Sequence, residues 1–238
     1  MPSPTPRSRG TVRPAAAMTR FLSSQGLASR LLRLYVGLFA YGIAIALIVR
    51  AGLGASPWDV LAQGVSRTVG ATFGVATIAI SAVVLLLWIP LRLRPGWGTL
   101  SNAALVGVFA DLGLAWIPAA DGVAWQIADL AAGLVLLAFA TALYIGAQLG
   151  PGARDGLMTG LVARTGWPVW AVRSGIEVTV VIAGWLLGGT VGIGTAVFAF
   201  GIGPLVQLAL RVLGVQPASR MREPGEGTEL PVSGAAAR

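Results

Sequence analysis

The chain has 238 residues, of which 55% are hydrophobic and 11% charged, under half the share of about a quarter found in an average soluble domain. Its net charge of +8 rests on 17 arginines without a lysine, and it holds neither cysteine nor histidine. Disulfides, thiolate chemistry and cysteine-based metal centres are thereby excluded. A basic excess can mark a nucleic-acid partner. Here there is no basic-aromatic patch of that kind, and the arginines instead flank long apolar runs, the pattern of a protein whose partner is the lipid bilayer.

Residues 1–28, rich in Pro, Arg, Ser, Thr and Ala, predict a flexible basic cytoplasmic tail. A cleaved signal peptide does not fit, because the apolar run from Leu31 is about 19 residues long and lacks a cleavage site. A transmembrane domain is expected over 29–214, with spans near 31–50, 72–91, 98–116, 125–148, 169–188 and 193–213. Residues 215–238 predict a second flexible cytoplasmic tail. Tryptophans fall at the span ends (Trp88, Trp97, Trp116, Trp125, Trp167, Trp170 and Trp185), where an interfacial belt is expected. Asp111 and Asp129 also lie near span ends, where solvent is expected.

Arginine placement orients the spans. Arg7 to Arg33 precede the first, Arg92 and Arg94 follow the second, Arg154 and Arg164 follow the fourth, and Arg211 to Arg238 follow the sixth. Only Arg50 and Arg67 fall on the other side. Six spans with this bias predict a multi-pass protein of the bacterial plasma membrane with both termini in the cytoplasm.

Two stretches interrupt the hydrocarbon, "LGASPWDVL" from Leu53 and "LGPGARDGL" from Leu149. Ser56 suits a helix N-cap, Pro57 the first helical position, and Asp59 the third, near the positive helix end. Gly52 and Gly54 permit the preceding turn. The second copy offers Gly150 for the turn, Gly152 as cap and Asp155 as acid. Short helices over 57–69 and 153–165 follow, each re-entrant or lying on the surface.

A constant shift of 96 residues superposes 31–114 on 127–210. It matches Gly37 with Gly133, Gly54 with Gly150, Asp59 with Asp155, Gly98-Thr99 with Gly194-Thr195, and Gly107 with Gly203. The domain then reads as repeat one, 31–116, and repeat two, 125–213. Three spans are an odd number, so the second copy enters the membrane from the opposite side. The expected fold is an all-α polytopic membrane protein of two inverted three-span repeats, each with a broken helix after its first span.

"GLGASPWDVLAQG", "GTLSNAALVG", "LGPGARDGLMTGL", "GIEVTVVIAGWLLGGTVGIGT" and "GIGPLVQ" together resemble the YczE branch of the YczE/YyaS/YitT bacterial membrane proteins, over 30–212. "SPWD" stands where that family has "GPWD". The resemblance implies an integral membrane protein and brings no established substrate or reaction. Roles in small-molecule export or in supporting secondary-metabolite production are what it suggests.

Matched Gly/Pro interruptions in the two halves point to a transporter binding site, with Asp59, Asp155 and Arg154 as substrate-binding or coupling candidates; the alternative is that both stretches are simply capped connecting helices. Glu177 falls well inside the fifth span, where an acid is costly and by default functional. Arg173, four residues earlier, can instead pair with it structurally. "GIGTAVFAFGIG" reads as close-packing glycine rather than a dinucleotide loop. No acid–base pair, metal cluster or cofactor motif is recognisable, and neither an enzyme nor an ion channel is expected. The expected function is a secondary carrier of an unknown small organic molecule, with export as one option and the direction not set by the sequence. A non-transporting accessory or sensor that supports a partner is the alternative.

Overall fold

A computed structural model describes residues 26–215. Eight helices make up the described chain: α1 (Leu27–Ala51), α2 (Pro57–Val69), α3 (Phe73–Leu91), α4 (Trp97–Trp116), α5 (Val123–Gly146), α6 (Ala153–Thr165), α7 (Val169–Leu186) and α8 (Ile193–Val212). No strand occurs among the described residues. Six helices are long and apolar enough to cross a bilayer. The other two, α2 and α6, have 13 residues each. At 1.5 Å per residue they reach about 20 Å, short of a hydrocarbon core of about 30 Å. The helix order long, short, long, long thus occurs twice.

Helix limits follow the local signals. α2 and α6 begin and end where the caps predict, each closed by a left-handed glycine, Gly70 or Gly166. α1 begins at Leu27, four residues before the expected 31, and takes in the end of the expected tail. α5 stops at Gly146, two residues before the expected 148. Arg30 joins the two ends. Its guanidinium donates to the carbonyls of Ala147 and Gln148, at 3.0 and 2.7 Å, so the first turn of α1 is tied to the residues just after α5. The remaining parts of the two expected tails, 1–25 and 216–238, lie outside the described residues.

α1 is the central helix, with Leu34, Leu38, Ala44 and Ile48 wholly buried. Small residues bring neighbouring backbones close to it. A Cβ on Gly37 would lie 3.0 Å from the Tyr144 nitrogen of α5, and one on Gly42 only 2.7 Å from the Phe109 carbonyl carbon of α4. Between helices in lipid this close packing supplies the attraction that the hydrophobic effect cannot.

Two expectations require correction. Trp88 is not an interfacial anchor: it is 2% exposed, and its Nε1 donates to the Ala153 carbonyl at 3.0 Å. The ring fills the space left by Gly156 of α6. The other six span-end tryptophans are exposed, as a belt requires. Asp111 keeps part of its exposure, as expected near a span end. It also accepts from the Gly74 nitrogen at 2.7 Å and from the Thr72 hydroxyl, which ties the start of α3 to α4. Finally, the glycines of "GIGTAVFAFGIG" divide. Gly192 and Gly194 press against the Leu53 backbone, whereas Gly201 and Gly203 have open space around them.

Candidate functional site

Each chain break is held by the other half of the molecule. Gly54 (φ +111°) lies against the start of α8, where a Cβ would be 2.7 Å from both the Gly192 nitrogen and the Thr195 hydroxyl. The Leu53 carbonyl there accepts from the Gly194 nitrogen at 2.7 Å. Gly150 (φ +125°) lies in the same way against Gly96 and Thr99 at the start of α4. The Leu149 carbonyl accepts from the Gly98 nitrogen at 2.8 Å. Every atom of the second bond is the counterpart, 96 residues removed, of one in the first. Thr99 and Thr195 accept alike from the nitrogens of Gly96 and Gly192, both at 3.3 Å. Thr99 also donates to the Pro151 carbonyl at 2.6 Å.

Beyond each break a short helix starts. Ser56 caps α2: its Oγ accepts from the Asp59 nitrogen at 3.3 Å and donates to Asp59 Oδ2. Pro57 occupies the first turn. α6 begins at Gly152, which has no side chain to cap with. Tyr144 steadies that break by donating to the Gly150 carbonyl at 2.9 Å.

The two helix starts meet. Arg154 of α6 lies 3.9 Å from Asp59 Oδ1 and places its guanidinium 5.0 Å from the ring centre of Trp58. Trp58 and Arg154 are themselves counterparts across the shift of 96. Asp59 is 2% exposed, and its Oδ1 has no hydrogen-bond partner among the described residues. Burial pushes the Asp59 carboxyl above the ordinary carboxylate range, while Arg154 and the Ser56 hydroxyl pull it back. Asp155 differs, since it reaches solvent although protein crowds its other sides. The crowding pushes its carboxyl upward, against Arg154 and then Arg173. Tyr41 of α1 and Tyr144 of α5 stand near enough to feel the Asp155 charge.

The far ends of the short helices point to different connections. Arg67, in the last turn of α2, donates to the Gly188 carbonyl and to the Thr190 hydroxyl, between α7 and α8. Arg164, in the last turn of α6, donates to the Pro90 carbonyl at the end of α3, at 2.9 Å. Arg50 donates to the Leu114 carbonyl. The two arginines that depart from the charge pattern, Arg50 and Arg67, therefore both serve as carbonyl caps.

A cavity of about 650 Å³ opens between α2, α3, α6 and α7. Its walls are almost wholly apolar, and Trp58 forms part of them. The walls obey the same shift: Leu61 and Leu157, Val65 and Leu161, Ala79 and Gly175, Ile80 and Ile176, Val83 and Thr179, and Val84 and Val180 all line it. Trp58, on whose ring the Arg154 guanidinium stacks, is thus one of the lining residues.

Of the residues singled out in the sequence, Asp59, Asp155 and Arg154 come together with Ser56, Pro57 and Gly152. Gly54 and Gly150 hold the breaks. Glu177 does not join them. It pairs with Arg173 at 2.9 Å on a half-exposed face of α7, and neither residue lines the cavity. Arg173 acts on the site only through its charge, on Asp155. Tyr41, Tyr144 and Trp58 were not foreseen. Among the described residues no three carboxylates stand close enough to hold a metal ion.

The family described as a family of unknown function (DUF6198) matches residues 28–211. An uncharacterized protein of Haemophilus influenzae is 39% identical over 176 residues, covering 74% of this chain and 81% of that protein. The uncharacterized membrane protein YczE of Bacillus subtilis is 34% identical over 174 residues, 73% of this chain and 80% of YczE. The uncharacterized protein YyaS of the same organism is 30% identical over 114 residues, 46% and 57% of the two chains. No solved structure matches. The chain is a multi-pass membrane protein that belongs to this family of unknown function, alongside the YczE proteins its motifs resemble.

Proposed function

We propose that the protein is a secondary carrier, exporting a small organic molecule across the bacterial plasma membrane, built from two inverted three-span repeats with re-entrant half-helices. The observation that carries this reading is the cavity, whose lining is paired at six places by the 96-residue shift and includes Trp58 at the start of α2. A site shared equally by two inverted halves is what alternating access needs, because rocking one half against the other exposes it to either face in turn.

The contacts at the two short helices support the re-entrant part. Their starts lie within reach of one ion pair, while their ends are bound to the α7–α8 connection and to the end of α3. With six alternating spans those two places fall on opposite faces. Each extended segment then enters from its own face to the middle, and its helix returns to that face. The arginine pattern supports a reading in which both termini are cytoplasmic. Asp59, Asp155 and Arg154 are read as binding and coupling groups rather than catalytic ones.

The chain has no cysteine, so single cysteines report access directly. In Val83→Cys and Thr179→Cys, both on the cavity wall, a membrane-impermeant maleimide is expected to react from the cytoplasmic face of inside-out vesicles. It is also expected to react from the outer face of right-side-out vesicles. Reaction from one face only would overturn the carrier reading and favour an accessory protein with a static cavity.

A further inference from the structure

We infer that the cavity takes a lipophilic organic cation, whose charged centre occupies the place on Trp58 beside Asp59 and Asp155 that the Arg154 guanidinium fills in the present state. The inference rests on the carrier reading and names its substrate class.

Arg154 marks the place as one that accommodates a cation. It lies over an aromatic face, a position worth about 0.5–2 kcal/mol to a cation, with the buried carboxylate oxygen of Asp59 beside it. Yet it is loosely held. The ion pair is 3.9 Å long, Arg154 makes no hydrogen bond among the described residues, and Asp59 Oδ1 is likewise unpartnered. Its side chain is 27% exposed, which leaves it room to swing away. A buried carboxylate oxygen without a donor is costly to maintain and accounts for itself if a second cation takes its turn there.

The remainder of the cavity selects the body of the ligand. Its wall offers apolar surface with a few hydroxyl and indole groups, Thr165, Thr179, Trp58 and Trp167 among them, so a hydrophilic ligand would lose its water without replacement. The local charges also favour a cation. Asp59 faces the Arg154 guanidinium at 3.9 Å, while Arg173 is paired with Glu177. An anion placed on Trp58 would meet the Asp59 carboxylate, and the half-charges of the helix starts would have to overcome it.

Two ions of the same shape and opposite charge test this, tetraphenylphosphonium and tetraphenylborate, titrated as radiolabelled probes onto the purified full-length protein in detergent. The phosphonium ion is expected to bind saturably and the borate ion only at the level of empty micelles. Asp59→Asn and Asp155→Asn are each expected to weaken phosphonium binding about tenfold or more. Trp58→Leu should weaken it roughly threefold to thirtyfold. Arg154→Gln, which removes the competitor, should tighten it. The opposite sign for Arg154→Gln keeps the test independent of folding losses, and melting temperatures identify any variant that fails to fold.

Saturable borate binding without phosphonium binding would overturn the cation assignment in favour of an anion. Failure of both probes, or unchanged affinity in all four variants, would also overturn it. In each case cysteine labelling from both faces would leave the carrier reading standing. Loss of two-faced labelling would sink that reading whatever the probes do.

Discussion

Replacing Gly54 by alanine tests the reciprocal clamp between the two halves. Two costs add at this position. The backbone sits at φ +111°, a region that L side chains rarely adopt and that costs about 1–3 kcal/mol. The new Cβ would also stand 2.7 Å from the Gly192 nitrogen and 3.0 Å from the Thr195 nitrogen. Both are backbone atoms at a helix start that hydrogen bonds already fix, so the segment has to yield by several tenths of an ångström. Overpacking of that kind costs about 1–3 kcal/mol. The expected loss is therefore about 2–6 kcal/mol. Gly70 supplies the control, with φ +69° and nothing within 4 Å of its Cβ. Gly70→Ala should cost only the backbone share, about 1–2 kcal/mol. Reversible unfolding of both variants in mixed micelles of rising dodecyl sulfate fraction measures the difference. Equal losses at the two positions would show that the clamp at Gly192 is absent from the working protein.

Three further outcomes follow from particular residues. Gly107→Ala should destabilise the protein, because its Cβ would lie 2.4 Å from the Gly74 carbonyl oxygen, whereas its counterpart Gly203→Ala should be nearly neutral, with open space around it; the same unfolding assay compares them. Because burial raises the Asp59 carboxyl above its unfolded value of 3.8, the folded state binds its proton more tightly, so this residue's stability contribution is full below pH 3.8 and is lost as pH rises through the folded pKa. Asp59→Asn should remove that dependence from a plot of unfolding free energy against pH, measured with Arg154, Asp155, Tyr41, Tyr144 and Arg173 all in place. Single cysteines at Pro95 and Arg222 should label only from the cytoplasm and one at Asp121 only from outside, and labelling of Arg222 and Asp121 from one face would remove the inverted arrangement.

The helices were legible because their signals are local. Ser56, Pro57, Asp59 and Gly70 delimit α2 to the residue. Asp59, Asp155 and Arg154 were legible as a group because the repeat placed them at equivalent breaks. What stayed hidden depends on which way a helix faces. Glu177 sits at a depth that suggests function, but α7 turns it toward Arg173 and away from the cavity. Trp88 occupies a span end like its fellow tryptophans, and nothing in the sequence says that its ring points inward to Gly156. Trp58 was concealed for a different reason. The shift of 96 sets it opposite Arg154, and an alignment scores that position as a mismatch. In the folded chain the two unlike counterparts are in contact, so the residues that fail to match are the ones that meet at the centre.

The crossed hydrogen bonds at the two breaks also impose an order on biogenesis. The Leu149 carbonyl finds its partner, Gly98, among residues already made when the second break emerges. The Leu53 carbonyl must wait for Gly194, which is synthesised almost at the end of the described chain. At about 5–20 residues per second, that wait lasts on the order of ten to thirty seconds. During this time the Leu53 carbonyl lacks its partner in the folded chain and is satisfied only by water or by another donor. The first interruption therefore reaches its final form only when the eighth helix arrives to receive it. The amino-terminal half enters the membrane first and takes its final form last.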